Sequence, residues 1–266
     1  MSDQVTSESL RRQFERHLRW KESYYVVDYY GYEIVSAFQP IVDAFGCVMG
    51  HEALIRPSLS SQPVPAENVL EMARNSAELV FFDKLIRALH LRNFSLQPVR
   101  GEFLFMNYEF DSLVDHENIH QHQALLRSRL KELGISNIRL VIEILEHAAL
   151  SESLLALMSR WRRSTENIVL ALDDVQDDAL TRRRVQLIDP DIIKLDRKEL
   201  FNPNYQCFVD ELHSKGAVLV QEGIESAQNY QQAKKAGIDW FQGYYIAAPK
   251  TISQMQCSAV APESVI

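Results

Sequence analysis

Nine side chains in this sequence stand toward the ends of short apolar runs, where a carboxylate, an amide or an ammonium is out of keeping with its neighbours. They are Gln39, Glu52, Asn107, Glu143, Asp173 with Asp174, Lys194, Glu222 and Gln242. If those ends share one face, five carboxylates and the Asn107 amide converge in a partly desolvated cleft. Their mutual repulsion is severe unless cations neutralise it. Hard divalent ions take oxygen ligands, and two of them about 3.5–4 Å apart suit an in-line displacement at phosphorus. The adjacent pair in LALDD, Asp173 and Asp174, can serve both ions, with one carboxylate bridging.

The elements that must deliver these groups follow from the pattern of runs. Eight β-rich stretches recur: EIVSAFQPIV (33–42), VMGHEALI (48–55), EFLFMNY (102–108), IRLVIEIL (138–145), NIVLALDD (167–174), DIIKLD (191–196), AVLVQEG (217–223) and WFQGYYIA (240–247). Between them lie segments of helical character. PAENVLEMARNSAELVFFDKLIRALHL enters at a proline, while SESLLALMSRWRRS and SAQNYQQAKKAG begin at Ser N-cap candidates, the latter closing on Gly237. Strands alternating with helices predict βαβ units and a mostly parallel sheet. Eight in this length fit a (β/α)8 barrel, whose strands gather their C-terminal ends on one face. The first two runs are joined only by a short DAFG turn, too tight for a crossover, so the first strand is expected to be antiparallel.

Composition excludes several alternatives. With 266 residues and 46% apolar content the chain buries a large core. The charged N-terminal stretch does not read as a signal peptide, and no run approaches a membrane span, so a cytoplasmic protein without membrane contact is expected. Cys47, Cys207 and Cys257 are far apart with no CxxC pair, which reads as reduced thiols. A net charge of −8 leaves no general basic surface for long nucleic acid, but a small anionic ligand held through metal ions fits.

The ordered set QPIVD, GHEALIRP, FMN, VIEILE, LALDD, IIKLD, QEGIE and FQGYY resembles the EAL-domain family of cyclic di-GMP phosphodiesterases over about residues 33–249. The resemblance implies a modified TIM (β/α)8 barrel over residues 33–250, flanked by an extension (1–32) and a tail (251–266). It also implies hydrolysis of cyclic di-GMP to linear pGpG with two Mg²⁺ or Mn²⁺ ions, Ca²⁺ holding ligand without turnover. By motif position Glu52, Asn107, Glu143 and Asp173 hold one ion, and Asp173, Asp174 and Glu222 serve the second directly or through water. Lys194 polarises the attacking water or the phosphate, and Gln242 supports the network of water and ligand. Gln39, Arg56 and Asp196 are placed with the nucleotide contacts, Arg56 through a phosphate; an ion pair between Lys194 and Asp196 is the plainer reading of that strand.

One departure from the pattern bears on activity. After the aspartates the family loop FGTGYSSL carries glycines, whereas this chain reads Val175, Gln176, Asp177, Asp178, Ala179, Leu180, Thr181. Conformations that only glycine adopts easily are lost or rebuilt. In the family that loop orders the metal site and communicates with a homodimer interface; Glu146, matching the carboxylate that pins it, is present. A non-hydrolysing cyclic di-GMP receptor and a degenerate protein-interaction module are therefore the alternatives.

Other features read as ordinary. His116, His120 and His122 have metal-like spacing but lie in a polar segment and read as a solvated loop or helix face. RWRR (160–163) and RRRV (182–185) read as solvated helix faces, with docking of a protein partner the minor option. In residues 1–32 a helix, RRQFERHLRW, is expected before the aromatic stretch YYVVDYYGY, covering the closed end of the barrel or joining an oligomer contact.

Overall fold

The computed structural model describes residues 13–97, 101–108, 119–144 and 168–258. The chain divides into a larger unit, residues 39–52 and 100–249, and a smaller one, residues 1–38, 53–99 and 250–266. The strands are β1 (Leu18–Lys21), β2 (Tyr24–Tyr29), β3 (Tyr32–Asp43), β4 (Val48–Leu59), β5 (Gln62–Pro63), β6 (Phe103–Tyr108), β7 (Arg139–Ile144), β8 (Ile168–Val175), β9 (Ile192–Leu195), β10 (Val218–Gln221), β11 (Trp240–Phe241) and β12 (Lys250–Thr251). The helices are α1 (Ala66–Asn75), α2 (Leu79–Ser95), α3 (Ile119–Glu132), α4 (Ala179–Ile188), α5 (Tyr205–His213), α6 (Ala227–Ala236) and α7 (Ile252–Ser258), with a 3₁₀ helix at Arg197–Phe201. None of the described helices is long and apolar enough to cross a membrane.

In the larger unit eight strands close a barrel. β4, β6, β7, β8, β9, β10 and β11 are successive parallel neighbours. β11 meets β3 antiparallel, and the pairing of β3 with β4 completes the ring. The antiparallel first strand follows from its turn: Asp43 Oδ1 accepts the amides of Phe45 and Cys47 at 2.8 and 2.9 Å, folding β3 tightly onto β4. Inside, Ile41, Phe103, Phe105, Val141, Val169, Ala171, Ile192, Val220 and Trp240 form a buried cluster. α6 begins and ends as its sequence predicts: Ser226 accepts the Asn229 amide, and Gly237 takes the left-handed conformation at φ 91°.

The smaller unit contains a meander of β1, β2 and the first part of β3, the end of β4 with β5, the helices α1 and α2, and β12 with α7. Here the reading of RRQFERHLRW as one helix is corrected. Residues 13–17 are helical, but Leu18–Lys21 is a strand paired antiparallel with Tyr24–Tyr29. Cross-strand partners decide it: Arg19 reaches Asp28 at 2.9 Å and Glu33 at 3.0 Å, Lys21 reaches Glu33 at 2.6 Å, and Trp20 meets Tyr25 edge-on at 4.9 Å. The helical segment after Pro65 is broken into α1 and α2, where Ala77 turns left-handed at φ 55°. In RRRV, Arg182 and Arg183 are exposed as expected but Arg184 is buried, because it lies on the same face of α4 as Thr181 and Ile188. His116, RWRR and SESLLALMSRWRRS lie outside the described residues.

Below its core the smaller unit holds a buried polar knot. Ser36 Oγ hydrogen-bonds His90 Nδ1 at 2.9 Å, and Asn93 Nδ2 donates to Ser36 Oγ at 3.2 Å and to the Tyr25 carbonyl at 2.9 Å. Burial pushes His90 down to about 3, far from the ~6.5 of an unfolded chain. Between those values the unfolded chain binds the extra proton, so this stability is complete above about pH 6.5 and falls on acidification. The slope contributed by one such histidine approaches ~1.4 kcal/mol per pH unit. Urea titrations at pH 7, 6 and 5 should show a shallower loss of stability in His90→Gln than in the parent. Parallel slopes would mean that His90 accepts its proton without cost.

Candidate active site

The two-residue period of a strand builds the site directly on the barrel core. Asn107, Glu143, Asp173, Lys194, Glu222 and Gln242 stand two positions after the core residues Phe105, Val141, Ala171, Ile192, Val220 and Trp240. Gln39 stands two before Ile41, since β3 runs the opposite way. Glu52 follows Gly50 by two; a Cβ on Gly50 would lie 2.5 Å from the Phe103 carbonyl oxygen, so glycine lets β4 approach β6. Each group therefore points inward at the C-terminal mouth, one layer above packed apolar side chains.

The aspartate pair has a local cause of its own. Along β8 and β9, Leu172 pairs with Ile193 but Val175 pairs with Leu195, so Asp173 and Asp174 together oppose Lys194. This is a β-bulge, and Asp174 absorbs the extra residue with a left-handed φ of 53°. Asp173 is buried and Asp174 exposed. None of Val175–Thr181 needs a positive φ. The loop is thus rebuilt without glycine.

Lys194 is the centre of the cluster. Its Nζ lies 2.9 Å from Asp173 Oδ1, 2.9 Å from Glu222 Oε1 and 3.7 Å from Glu52 Oε2, and it is paired with Glu143. Lys194 and Glu143 are fully buried. Burial alone would lower Lys194, but the four carboxylates outweigh it and hold the ammonium charged. Burial pushes Glu143 well above the usual carboxylate range despite the pull of Lys194, with Glu52 and Asp173 adding to the rise. Glu222, whose side chain keeps 19% of its surface, is pushed up to about 8, again by burial first. One ammonium does not balance four carboxylates, and of these Glu143 and Glu222 are the two pushed toward their protonated forms.

The amides organise the rim. Gln242 Nε2 donates to Glu52 Oε2 at 2.6 Å and to Gln39 Oε1 at 3.3 Å, and Gln39 Nε2 donates to the Ala247 carbonyl at 3.1 Å. Asn107 pairs in register with Glu143. Asp196 caps the 3₁₀ helix, accepting the Lys198 amide at 2.7 Å; none of the salt bridges of Lys194 runs to it. Arg56 belongs to the smaller unit, exposed, its guanidinium donating to the Ile55 carbonyl at 2.9 Å. Glu146 lies outside the described residues. Gln221 was not singled out from sequence: fully buried, it accepts from Tyr205 Oη at 2.7 Å and donates to the Leu195 carbonyl at 3.2 Å, tying β9 to β10. An amide inside the run VLVQ was its signal.

Whether divalent ions suit these residues turns on donor chemistry. Among the described residues no three His, Cys, Asp or Glu side chains are already arranged around a common ion position; the Lys194 ammonium stands between them. The donors themselves fit hard cations: four carboxylates and the Asn107 amide, with Asn107 Oδ1 and Glu143 Oε2 buried and lacking a hydrogen-bond partner. When all four carboxylates are ionised, the single Lys194 ammonium leaves the cluster with an excess of negative charge, which divalent cations would offset.

A family model described as EAL domain matches residues 31–249. Two curated relatives are the uncharacterized EAL-domain containing protein YkuI of Bacillus subtilis, 29% identical over 157 residues (55% of this chain, 37% of that protein), and the cyclic di-GMP phosphodiesterase CdgJ of Vibrio cholerae, 29% identical over 147 residues (54% and 32%). The chain thus spans well under half the length of these relatives. Among solved structures, Klebsiella pneumoniae BlrP1 in a calcium and cyclic di-GMP complex superposes with a TM-score of 0.68 at 23% identity, covering 82% of this chain and 56% of that one.

Proposed function

Because the chain belongs to the EAL-domain family, we propose that it is a two-metal phosphodiesterase that hydrolyses cyclic di-GMP to linear pGpG. The observation that supports this most is the gathering of Glu52, Glu143, Asp173 and Glu222 from four strands around Lys194 with an unbalanced negative charge. Glu52, Asn107, Glu143 and Asp173 would hold one Mg²⁺ or Mn²⁺, and Asp173, Asp174 and Glu222 the other. When bound, such ions polarise a phosphoryl oxygen and lower the pKa of a water. Lys194 would donate from its ammonium to the attacking water or to the phosphate, and Gln242 orients Glu52 through its 2.6 Å hydrogen bond. Gln39, Arg56 and Asp196 position the dinucleotide. The water gives up a proton as its oxygen bonds to phosphorus, the bond from phosphorus to the ribose 3′ oxygen breaks, and that oxygen takes up a proton, leaving a 5′-phosphate and a 3′-hydroxyl. Cytoplasmic action and homodimer formation belong to the same proposal.

A second reading, a receptor that binds cyclic di-GMP without cleaving it, draws support from one feature. Lys194 already supplies a cation to the carboxylates, so the barrel can persist without metal. Two variants separate the roles. Glu52→Ala should lower kcat by orders of magnitude with the barrel still folded, since residues at this end of the strands serve chemistry more than stability; unchanged kcat would remove Glu52 from the metal site. Arg56→Ala should weaken nucleotide binding in Ca²⁺, read by calorimetry, more than it weakens Mn²⁺ binding, because a guanidinium grips phosphate bidentately. Equal nucleotide affinity in variant and parent would refute the phosphate contact.

A further inference from the structure

The loop that follows the aspartate pair is tied to the element that follows Lys194. Glu199, on the 3₁₀ helix, is only 6% exposed, and its Oε1 accepts the Asp177 amide at 3.2 Å. Asn202 Nδ2 donates to Glu199 Oε2 at 2.8 Å and to Asp177 Oδ2 at 3.2 Å, so one amide group bridges the two carboxylates. Arg182 pairs with Asp177 and, at 3.1 Å, with Glu211 Oε2. Asp178 caps α4 by accepting the Thr181 amide at 2.8 Å, and the Asp196 amide donates to the Val175 carbonyl at 3.0 Å. A nearly buried carboxylate is retained when its oxygens are engaged, and both oxygens of Glu199 are. One partner is a backbone amide only three residues beyond Asp174, in a loop that holds its shape without any left-handed residue after the bulge. The contacts therefore span from the bulge that carries Asp173 and Asp174 to the chain just past Lys194, the two strand ends whose separation sets the heart of the cluster.

Resting on the two-metal reading above, we propose that Glu199 is a positioning residue: it clasps Asp177 and so fixes Asp173 and Asp174 against Lys194 before any ion binds. The loop then needs no glycine, because side-chain contacts supply the order that a tight turn would otherwise give. Partners that contribute no ligand but orient those that do commonly change metal affinity by about 10–100-fold, and Glu199 is expected at the lower end of that range.

The test compares the parent with Glu199→Ala and Glu199→Gln, and with Asn202→Ala as a second variant should Glu199→Ala fail to fold. Amide hydrogen exchange of residues 174–180 without metal reads the clasp itself. Protection should fall in Glu199→Ala and in Asn202→Ala and recover mostly in Glu199→Gln, which keeps an acceptor for the Asp177 amide. Calorimetry with Mn²⁺ alone reads the consequence: affinity should drop about tenfold in Glu199→Ala and return toward the parent value in Glu199→Gln, while KM for cyclic di-GMP changes less than kcat. Unchanged exchange in the alanine variants would overturn the clasp. Lost protection with unchanged Mn²⁺ affinity would overturn the positioning role and leave the two-metal reading standing. If the parent bound no Mn²⁺, the two-metal reading would fail and the positioning role with it, while the exchange result would still report on the clasp.

Discussion

Lys194→Met should melt roughly 10 °C below the parent in EDTA, and added Mn²⁺ should recover more stability in this variant than in the parent. Lys194 is fully buried and is the only cation among Glu52, Glu143, Asp173 and Glu222 for which salt bridges are seen in the described site. Breaking a buried ion pair by removing one partner costs about 3–5 kcal/mol, and a domain of this size loses roughly 2–4 °C per kcal/mol. Methionine nearly conserves the volume, so the effect is one of charge. Metal ions that bind only the folded form then stabilise by mass action, and they face no competing ammonium. Hydrolysis should fall by orders of magnitude because the donor to the water is gone. A Lys194→Met variant that melted with the parent in EDTA would show that the four carboxylates are protonated or solvated and need no counter-ion.

The second large effect concerns the bulge. Asp173→Asn with Asp174→Asn should abolish hydrolysis, melt at or above the parent temperature in EDTA, and lose most of the Mg²⁺- or Mn²⁺-induced stabilisation. Lys194 keeps Glu52, Glu143 and Glu222 as partners after the change, so removing two charges from a cluster with an excess of negative charge relieves repulsion without stranding the ammonium. Asp177 and Asp178 should behave differently. Asp178 faces solvent as the N-cap of α4, and Asp177 serves Arg182 and Asn202. Asparagine preserves both a cap and an acceptor, so Asp177→Asn with Asp178→Asn should leave metal stabilisation nearly intact. Thermal melts of the two double variants with and without Mn²⁺ compare them directly. If the second pair carried the metal dependence and the first did not, the assignment of ions to the bulge would be wrong.

What could be read from the sequence was what strand periodicity and short-range chemistry control. The inward positions of β6 to β11 alternate with a period of two, so the residues above Phe105, Val141, Ala171, Ile192, Val220 and Trp240 could be named without knowing any contact between them. The DAFG turn gave the antiparallel β3, and Ser226 with Gly237 gave α6. What could not be read depends on partners far along the chain. Leu18–Lys21 looks helical alone and becomes a strand because Asp28, Glu33 and Tyr25 meet it. The bulge that sets Asp173 and Asp174 opposite Lys194 is a matter of register between β8 and β9, on which residue types are silent. Replacing the glycine-bearing loop looked like a loss, since the contacts that compensate come from Glu199 and Asn202, more than twenty residues on.

Incubating the purified protein with cyclic di-GMP in Mg²⁺ or Mn²⁺ and separating the products by chromatography tests the phosphodiesterase assignment most directly. A peak of linear pGpG should grow with time, disappear in EDTA and be absent for Glu52→Ala. Cyclic di-GMP recovered intact with either ion, from protein that binds it in Ca²⁺, would contradict the account and make this chain a receptor.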